Sequence, residues 1–335
     1  MDQSSIQRRT QQLEIETLSP KACLVVNSKG RAREETSTDL RTDFQRDRDR
    51  ILHSNAFNRL KQKTQVFLAP CGDHYRTRLV HSLEVSQISR TVARGLRLNE
   101  DLTEAIALGH DIGHAPFGHA GEEALNEVCP YGFSHSQNSV RVVEFLENHG
   151  KGLNLTYEVI DGIRCHSFGD NEAETFEGRI VSICDKVAYI NHDIEDAIRA
   201  GIIKNDDLPK ECLDVLGYTK SERIATSVKS IIENSKDDVK MDVCIFKAHS
   251  KLRKYMFENV YYGNVVQSEQ DKARNIVKNL YKHYKLNSSK LPDFYKNIAK
   301  DFDVDRAVCD YISGMSDRYI IEQYSNLFIP KLWGI

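Results

Sequence analysis

Phe176, Ile180, Ile183, Val187, Ile190, Ile194 and Ala197 recur at alternating spacings of four and three residues. Only an α-helix, at 3.6 residues per turn, lines up such a set on one stripe, so this segment is a long helix with one firmly buried face. A second long helix is predicted over 78–96, where Val85, Ile88, Val92 and Leu96 follow at spacings of 3, 4 and 4. Shorter helical patterns cover 46–60, 122–129, 136–148, 248–259, 267–284 and 303–314, and Asn99 reads as the cap of a helix ending near Gly109. Thr64–Leu68 alternates like a short strand before Pro70-Cys71-Gly72 breaks it, and 203–245 is charged and ambiguous. Strand signals are otherwise few and no 20–50-residue period is present, so the chain is expected to be all-α and not a solenoid.

Residues 1–40 are polar and are expected to form a flexible arm. A core is expected over 41–200, with a helical C-terminal region over 201–335 packed on it. Apolar content is 40% and net charge −3 over 335 residues, which excludes a disordered chain. No apolar run approaches the roughly 18–20 residues of a membrane span. The opening MDQSSIQRRTQQLEIE lacks the apolar stretch of a secretory signal. Eight cysteines without a C-x-x-C pair give neither a zinc ribbon nor a disulfide framework, and residues such as Cys184 and Cys309 read as small buried hydrophobes. The expected location is a reducing cytoplasm.

Six of the twelve histidines (His74, His81, His110, His114, His119, His135) fall within 62 residues. Residues 41–97 hold twelve Lys/Arg against five Asp/Glu, a positive field suited to a phosphate-bearing ligand, or else a set of Arg–Asp pairs. The densest segment is ALGHDIGHAPFGHAGE, residues 107–122. His110 and Asp111 are adjacent at a helix end, where both converge on one cation if Gly109 and Gly113 allow a tight backbone. His81 and Asp185, on the two long helices, are placed to complete the set. Two imidazoles and two carboxylates suit Mn, Mg, Fe or Zn and leave positions for water and a phosphate oxygen. His119 and Glu122 are three apart, so a helix starting there puts them on one face, where the carboxylate would orient the ring and raise its pKa. Asp185, Tyr189 and Asp193 form a second stripe on the long helix, at i, i+4 and i+8.

HYRTRLVHS (74–82), GHDIGHAPFGHAGE (109–122), FSHSQNSVRVVE (133–144) and CDKVAYINHDIEDAI (184–198) together resemble the four signatures of the HD-superfamily dNTP triphosphohydrolases, the deoxyguanosinetriphosphate triphosphohydrolase-like (dGTPase) group above all. FQRDRDRILHSNAFNRLKQKTQVF (44–67) and VCDYISGMSDRY (308–319) resemble that group's pattern too. The resemblance implies an HD-domain helical fold with a helical C-terminal extension. It implies metal-dependent hydrolysis of dGTP or several dNTPs to deoxynucleoside and inorganic triphosphate. It makes His81, His110, Asp111 and Asp185 the metal ligands and His119 the catalytic histidine, supported by Glu122. Substrate would be held by His114, His135, Arg78 and Lys186 at the phosphates and by Tyr189, Asp193 and Gln65 at the sugar. Asn138 stands where the group usually has Gln. An HD phosphohydrolase acting on nucleoside monophosphates or cyclic dinucleotides is the alternative; it would share the ligands but not need the His119–Glu122 pair.

The group also implies a homo-oligomer and an activating dNTP at a second site, to which Arg41, Arg46, Arg48 and Arg50 are candidates. Weak single-stranded nucleic acid binding is a further expectation and membrane attachment is not. His53, His149, His166, His192, His249 and His283 receive no role, and Arg253 and Tyr255 lack a deciding motif.

Overall fold

The computed structural model describes residues 3–35, 40–65, 76–167, 171–261 and 263–331. These form sixteen α-helices and no strand among the described residues. Those that position the site are α2 (Asp43–Leu52), α3 (Asn55–Arg59), α4 (Arg78–Leu96), α5 (Glu100–Gly109), α6 (Gly118–Val128), α7 (His135–Arg141), α8 (Tyr157–Arg164) and α9 (Phe176–Arg199). They are followed by α10 (Lys210–Leu216), α11 (Lys220–Asn234), α12 (Val243–Met256), α13 (Asn264–Leu286), α14 (Asp293–Asp301), α15 (Val304–Ser313) and α16 (Asp317–Phe328).

The stripe on α9 joins two hydrophobic clusters. Ile180, Val181, Cys184, Val187 and Ala188 pack with α2, α4, α5 and α8, while Ile190, Ile194 and Ala197 pack with α10 and α12. Each fully buried Ile or Val contributes about 1.5–3 kcal/mol, so the stripe fixes this helix firmly. The helix starts at Thr175, whose hydroxyl accepts the Gly178 N–H, and α5 starts at Asn99, which accepts the Leu102 N–H. A third cluster unites α6 with the C-terminal helices: Ala120, Ala124 and Leu125 pack against residues of α13, α15 and α16.

Three expectations are corrected. The predicted helix over 46–60 is divided at Ser54, whose hydroxyl donates to the Ile51 carbonyl (2.7 Å) and accepts the Phe57 N–H (3.1 Å), closing α2 and opening α3. Within residues 3–35 the chain is not irregular throughout. Gln3–Thr17 is helical (α1), Glu14 accepts the Val25 N–H at 2.8 Å, and the Arg31 guanidinium reaches Asp43 and the buried Asp47. Finally, 203–245 contains α10 and α11. Of the predicted strand, residues 66–68 lie outside the described residues, as does His74, and Thr64 makes one isolated bridge with Thr77. No helix among the described residues is long and apolar enough to cross a membrane.

Candidate active site

The four candidate metal ligands come from two helices and one turn. His81 lies in the first turn of α4 and Asp185 in α9, while His110 and Asp111 directly follow α5. His81 Nε2 is 3.0 Å from Asp185 Oδ1, and His110 Nε2 is 3.6 Å from Asp111 Oδ2 and 3.8 Å from Asp185 Oδ1.

The turn is held by α7. The Ser139 hydroxyl accepts the Gly113 N–H (2.9 Å) and donates to the His110 carbonyl (2.8 Å), while Asn138 Nδ2 donates to the Gly113 carbonyl (2.6 Å). Asn138 thus supports the ligand turn from outside the cavity. A Cβ on Gly113 would lie 2.1 Å from the Ser139 nitrogen, so only glycine permits this approach.

The donor set fits a divalent cation. His110 Nδ1 is 2.6 Å from the Ala107 carbonyl and carries the ring proton, which leaves Nε2 a lone pair. That Nε2 is buried, has no hydrogen-bond partner, and faces two carboxylates. A cation between them turns this repulsive arrangement into a ligand shell. Burial alone would raise both carboxyls, but the neighbouring charges dominate. The Arg78 guanidinium holds Asp111 well below its usual range, and the bond from His81 holds Asp185 at about 2. Arg78 Nη1 donates to Asp111 Oδ2 at 2.6 Å.

Beside this cluster three imidazoles lie nearly parallel. His114 is 4.7 Å from His135 and 5.6 Å from His119, centroid to centroid, with 17° between planes in each case. Their protonation follows from their partners. His135 Nδ1 lies 2.9 Å from Glu122 Oε1, and the His135 backbone N–H donates to the same oxygen at 2.8 Å. His135 Nε2 is 3.2 Å from His166 Nε2, and His166 Nδ1 carries its proton toward the Ile163 carbonyl at 2.7 Å. His166 Nε2 is therefore an acceptor, and His135 Nε2 also lies 2.9 Å from the Ser167 hydroxyl. Consistently, desolvation is outweighed at His135 by the Glu122 carboxylate, which raises its pKa, while burial above all lowers His166 to about 3. Glu122, despite its burial, is drawn down to about 2 by this pairing.

The expected pairing of Glu122 with His119 is corrected here. The two do share the first turns of α6, but the carboxylate turns toward α7 and is spent on His135. His119 is exposed to the cavity, and desolvation within it together with Arg78 lowers its pKa, so it is neutral in the free protein.

These groups surround one cavity of about 440 Å³. Gln65, Arg78, His81, Asp111, His114, His119, Glu122, His135, Asp185, Lys186, Tyr189 and Asp193 all line it, and His110 lies against Asp111 and Asp185. At the far end of the α9 stripe the Tyr261 hydroxyl donates to Asp193 Oδ2. Burial still pushes the Asp193 carboxyl up to about 7.

Comparison with known proteins agrees with this geometry. A family model described as HD domain matches residues 78–190, and one described as phosphohydrolase-associated domain matches 239–326. A relative from Caldanaerobacter subterraneus subsp. tengcongensis is 54% identical over 326 residues, covering 97% of this chain and 96% of its own. Relatives from Clostridium tetani (46%, 99% of each chain) and Bordetella pertussis (38%, 90% and 94%) are also similar. All three are named deoxyguanosinetriphosphate triphosphohydrolase-like protein. The chain belongs to this family of HD-domain proteins. Its membership makes it a hydrolase of the HD phosphohydrolase kind, and the His/Asp cluster is the feature that suits the metal such domains bind.

Several lining residues of this HD protein received no role from its sequence. His166 and Ser167 bring their side chains against His135, and Arg253, Phe257, Tyr261, Gln270 and Arg274 form a wall from α12, the turn after it and α13. The arginines considered for a second nucleotide site are engaged within the chain. Arg41 pairs with Asp49, Arg46 and Arg50 with Glu35, and Arg48 with Asp49 and Glu104. The Arg–Asp pairing expected for this segment therefore takes up part of its positive field.

Proposed function

We propose that this chain hydrolyses deoxynucleoside triphosphates, dGTP or several dNTPs, to deoxynucleoside and inorganic triphosphate with a divalent metal (Mn, Mg, Fe or Zn). The observation that carries this is the α9 stripe. Asp185 belongs to the His/Asp cluster, Lys186 and Tyr189 line the middle of the cavity, and Asp193 with Tyr261 closes its other end. A monophosphatase would use only the first part. The names of the relatives support the same substrate class.

His81, His110, Asp111 and Asp185 would hold the metal, which when bound supplies a Lewis acid for a phosphoryl oxygen and acidifies a water. Arg78 and Lys186 offset charge building on the α-phosphate oxygens. His135, fixed by Glu122, lines the phosphate end of the site together with His114. His119 is neutral until the triphosphate enters; the substrate's negative charge raises its pKa, and the imidazolium then gives its proton to the departing 5′-oxygen. Tyr189 packs against C2′, Asp193 accepts from the sugar hydroxyl, and Gln65 meets the sugar from the opposite wall. A homo-oligomer and an activating dNTP bound outside this cavity belong to the same reading.

Turnover of the four dNTPs, alone and in pairs, with Mn²⁺ or chelator, tests it. Triphosphate and deoxynucleoside in equal amounts are expected, with turnover abolished by chelation. Release of orthophosphate or pyrophosphate would overturn it.

A further inference from the structure

The C-terminal region reaches into the turn that presents His119. Asp317, the first residue of α16, accepts the Phe117 N–H at 2.8 Å through Oδ1. Its Oδ2 accepts the Thr64 N–H, also at 2.8 Å, and the Thr64 hydroxyl. Beside it the buried Lys63 Nζ donates to the Ser313 carbonyl at 2.9 Å and to the His114 carbonyl. One carboxylate and one lysine nitrogen therefore tie three segments together: the 63–64 wall, the 114–117 turn and the 313–317 connection.

The turn needs holding. Phe117 has φ 65° and ψ 22°, a left-handed backbone that a side chain disfavours and that persists only where surroundings impose it. Gly118 follows at φ 60°, so close to its neighbours that a Cβ would meet Arg78 Nη2 at 3.2 Å and the Gln65 carbonyl at 3.4 Å. These two residues set the direction of the first turn of α6, on which His119 stands. The rest of α6 is aligned from the same side, since its apolar face lies among the C-terminal helices.

We infer that Asp317, backed by Lys63, is a positioning residue for His119: it holds Phe117 in its left-handed conformation and so aims the proton donor at the leaving oxygen. The kinetic side of this inference rests on the triphosphohydrolase reading; the conformational side does not.

Two arms test it on the full-length, metal-loaded protein. In the first, hydrogen–deuterium exchange is measured on wild type, Asp317→Asn and Asp317→Ala. The substitution to Asn keeps an acceptor for Phe117. Exchange in peptides spanning 114–121 should rise at least tenfold in Asp317→Ala and less in Asp317→Asn, while α9 peptides stay unchanged. Unchanged exchange at 114–121, or an equal rise throughout, overturns the inference whatever the enzyme hydrolyses.

In the second arm, kcat and KM are compared on a dNTP and on its analogue with sulfur in the 5′ bridging position. There the P–S bond breaks, the electron pair leaves on a thiolate that needs no proton donor, and water supplies the new P–O bond. Asp317→Ala should lose about 10–100-fold in kcat on the natural substrate with KM nearly constant, and less than about threefold on the thio analogue, as should His119→Ala. Equal losses on both substrates mean general damage and overturn the inference. Absence of triphosphate from wild type refutes the functional reading instead and leaves the exchange arm to decide.

Discussion

Gly113→Ala offers the sharpest perturbation of the ligand turn. The added Cβ would lie 2.1 Å from the Ser139 nitrogen, 2.4 Å from the Asn138 carbonyl carbon and 2.5 Å from Ser139 Cα, all of them backbone. Ordinary contact needs about 3.5 Å, so the turn and α7 have to part by roughly 1 Å. Overpacking of that kind costs about 1–3 kcal/mol, and loss of the Gly113–Ser139 hydrogen bond adds about 1 kcal/mol. At about 2–4 °C per kcal/mol, the melting temperature should fall by roughly 4–16 °C. His110 and Asp111 move with the turn, so turnover should fall about 100-fold even well below the new melting temperature. Differential scanning fluorimetry, bound-metal analysis and steady-state kinetics at 20 °C read the three effects. Ser139→Ala, which removes the hydrogen bonds without adding volume, should show about a third of the thermal shift. A Gly113→Ala protein with wild-type melting and turnover would refute the close packing on which the ligand geometry depends.

Other expectations follow from single contacts. His110→Ala should abolish stoichiometric binding of one divalent ion, read by elemental analysis after gel filtration. Ile194→Ala, fully buried between α9 and the α10–α12 cluster, should cost about 2–5 kcal/mol in denaturant unfolding, with KM unchanged. Tyr189→Ala should raise GTP turnover relative to dGTP at least tenfold if the ring excludes a 2′-hydroxyl. Glu35 is drawn down to about 2 by its bond from Arg50, against an ordinary value of 4.5. It therefore contributes stability above pH 4.5 that is lost as pH falls toward 2. With 30% of the side chain exposed, about 1–2 kcal/mol is expected, and Glu35→Gln should flatten that part of the acid limb in urea titrations.

Elements whose apolar residues kept a clean period were legible in the sequence. α4 and α9 are examples, because their apolar stripes run uninterrupted for about three turns and about six. α1 was missed because it is polar almost all round and is anchored by few contacts, such as Glu14 reaching the Val25 N–H. The charged α11 hid its one buried stripe in the same way. The site's own segments were legible because each motif lies within a few residues. What the sequence did not reveal depends on tertiary direction. Helical spacing put Glu122 beside His119, yet α7 supplies a nearer donor in His135. Tyr261 reaches Asp193 from 68 residues away, and His166 reaches His135 from 31 away, with no local pattern to connect them. Asp317 lies 200 residues from Phe117, and its motif showed only that something there mattered.

Cleavage at the α-phosphorus is the central claim, and one measurement addresses it directly. The metal-loaded protein is allowed to turn over dGTP in H₂¹⁸O, and both products are weighed by mass spectrometry. The expected result is one ¹⁸O in inorganic triphosphate and none in deoxyguanosine, because water attacks phosphorus and the 5′-oxygen leaves with the sugar. ¹⁸O in the deoxynucleoside, or label in orthophosphate beside dGDP, would contradict it.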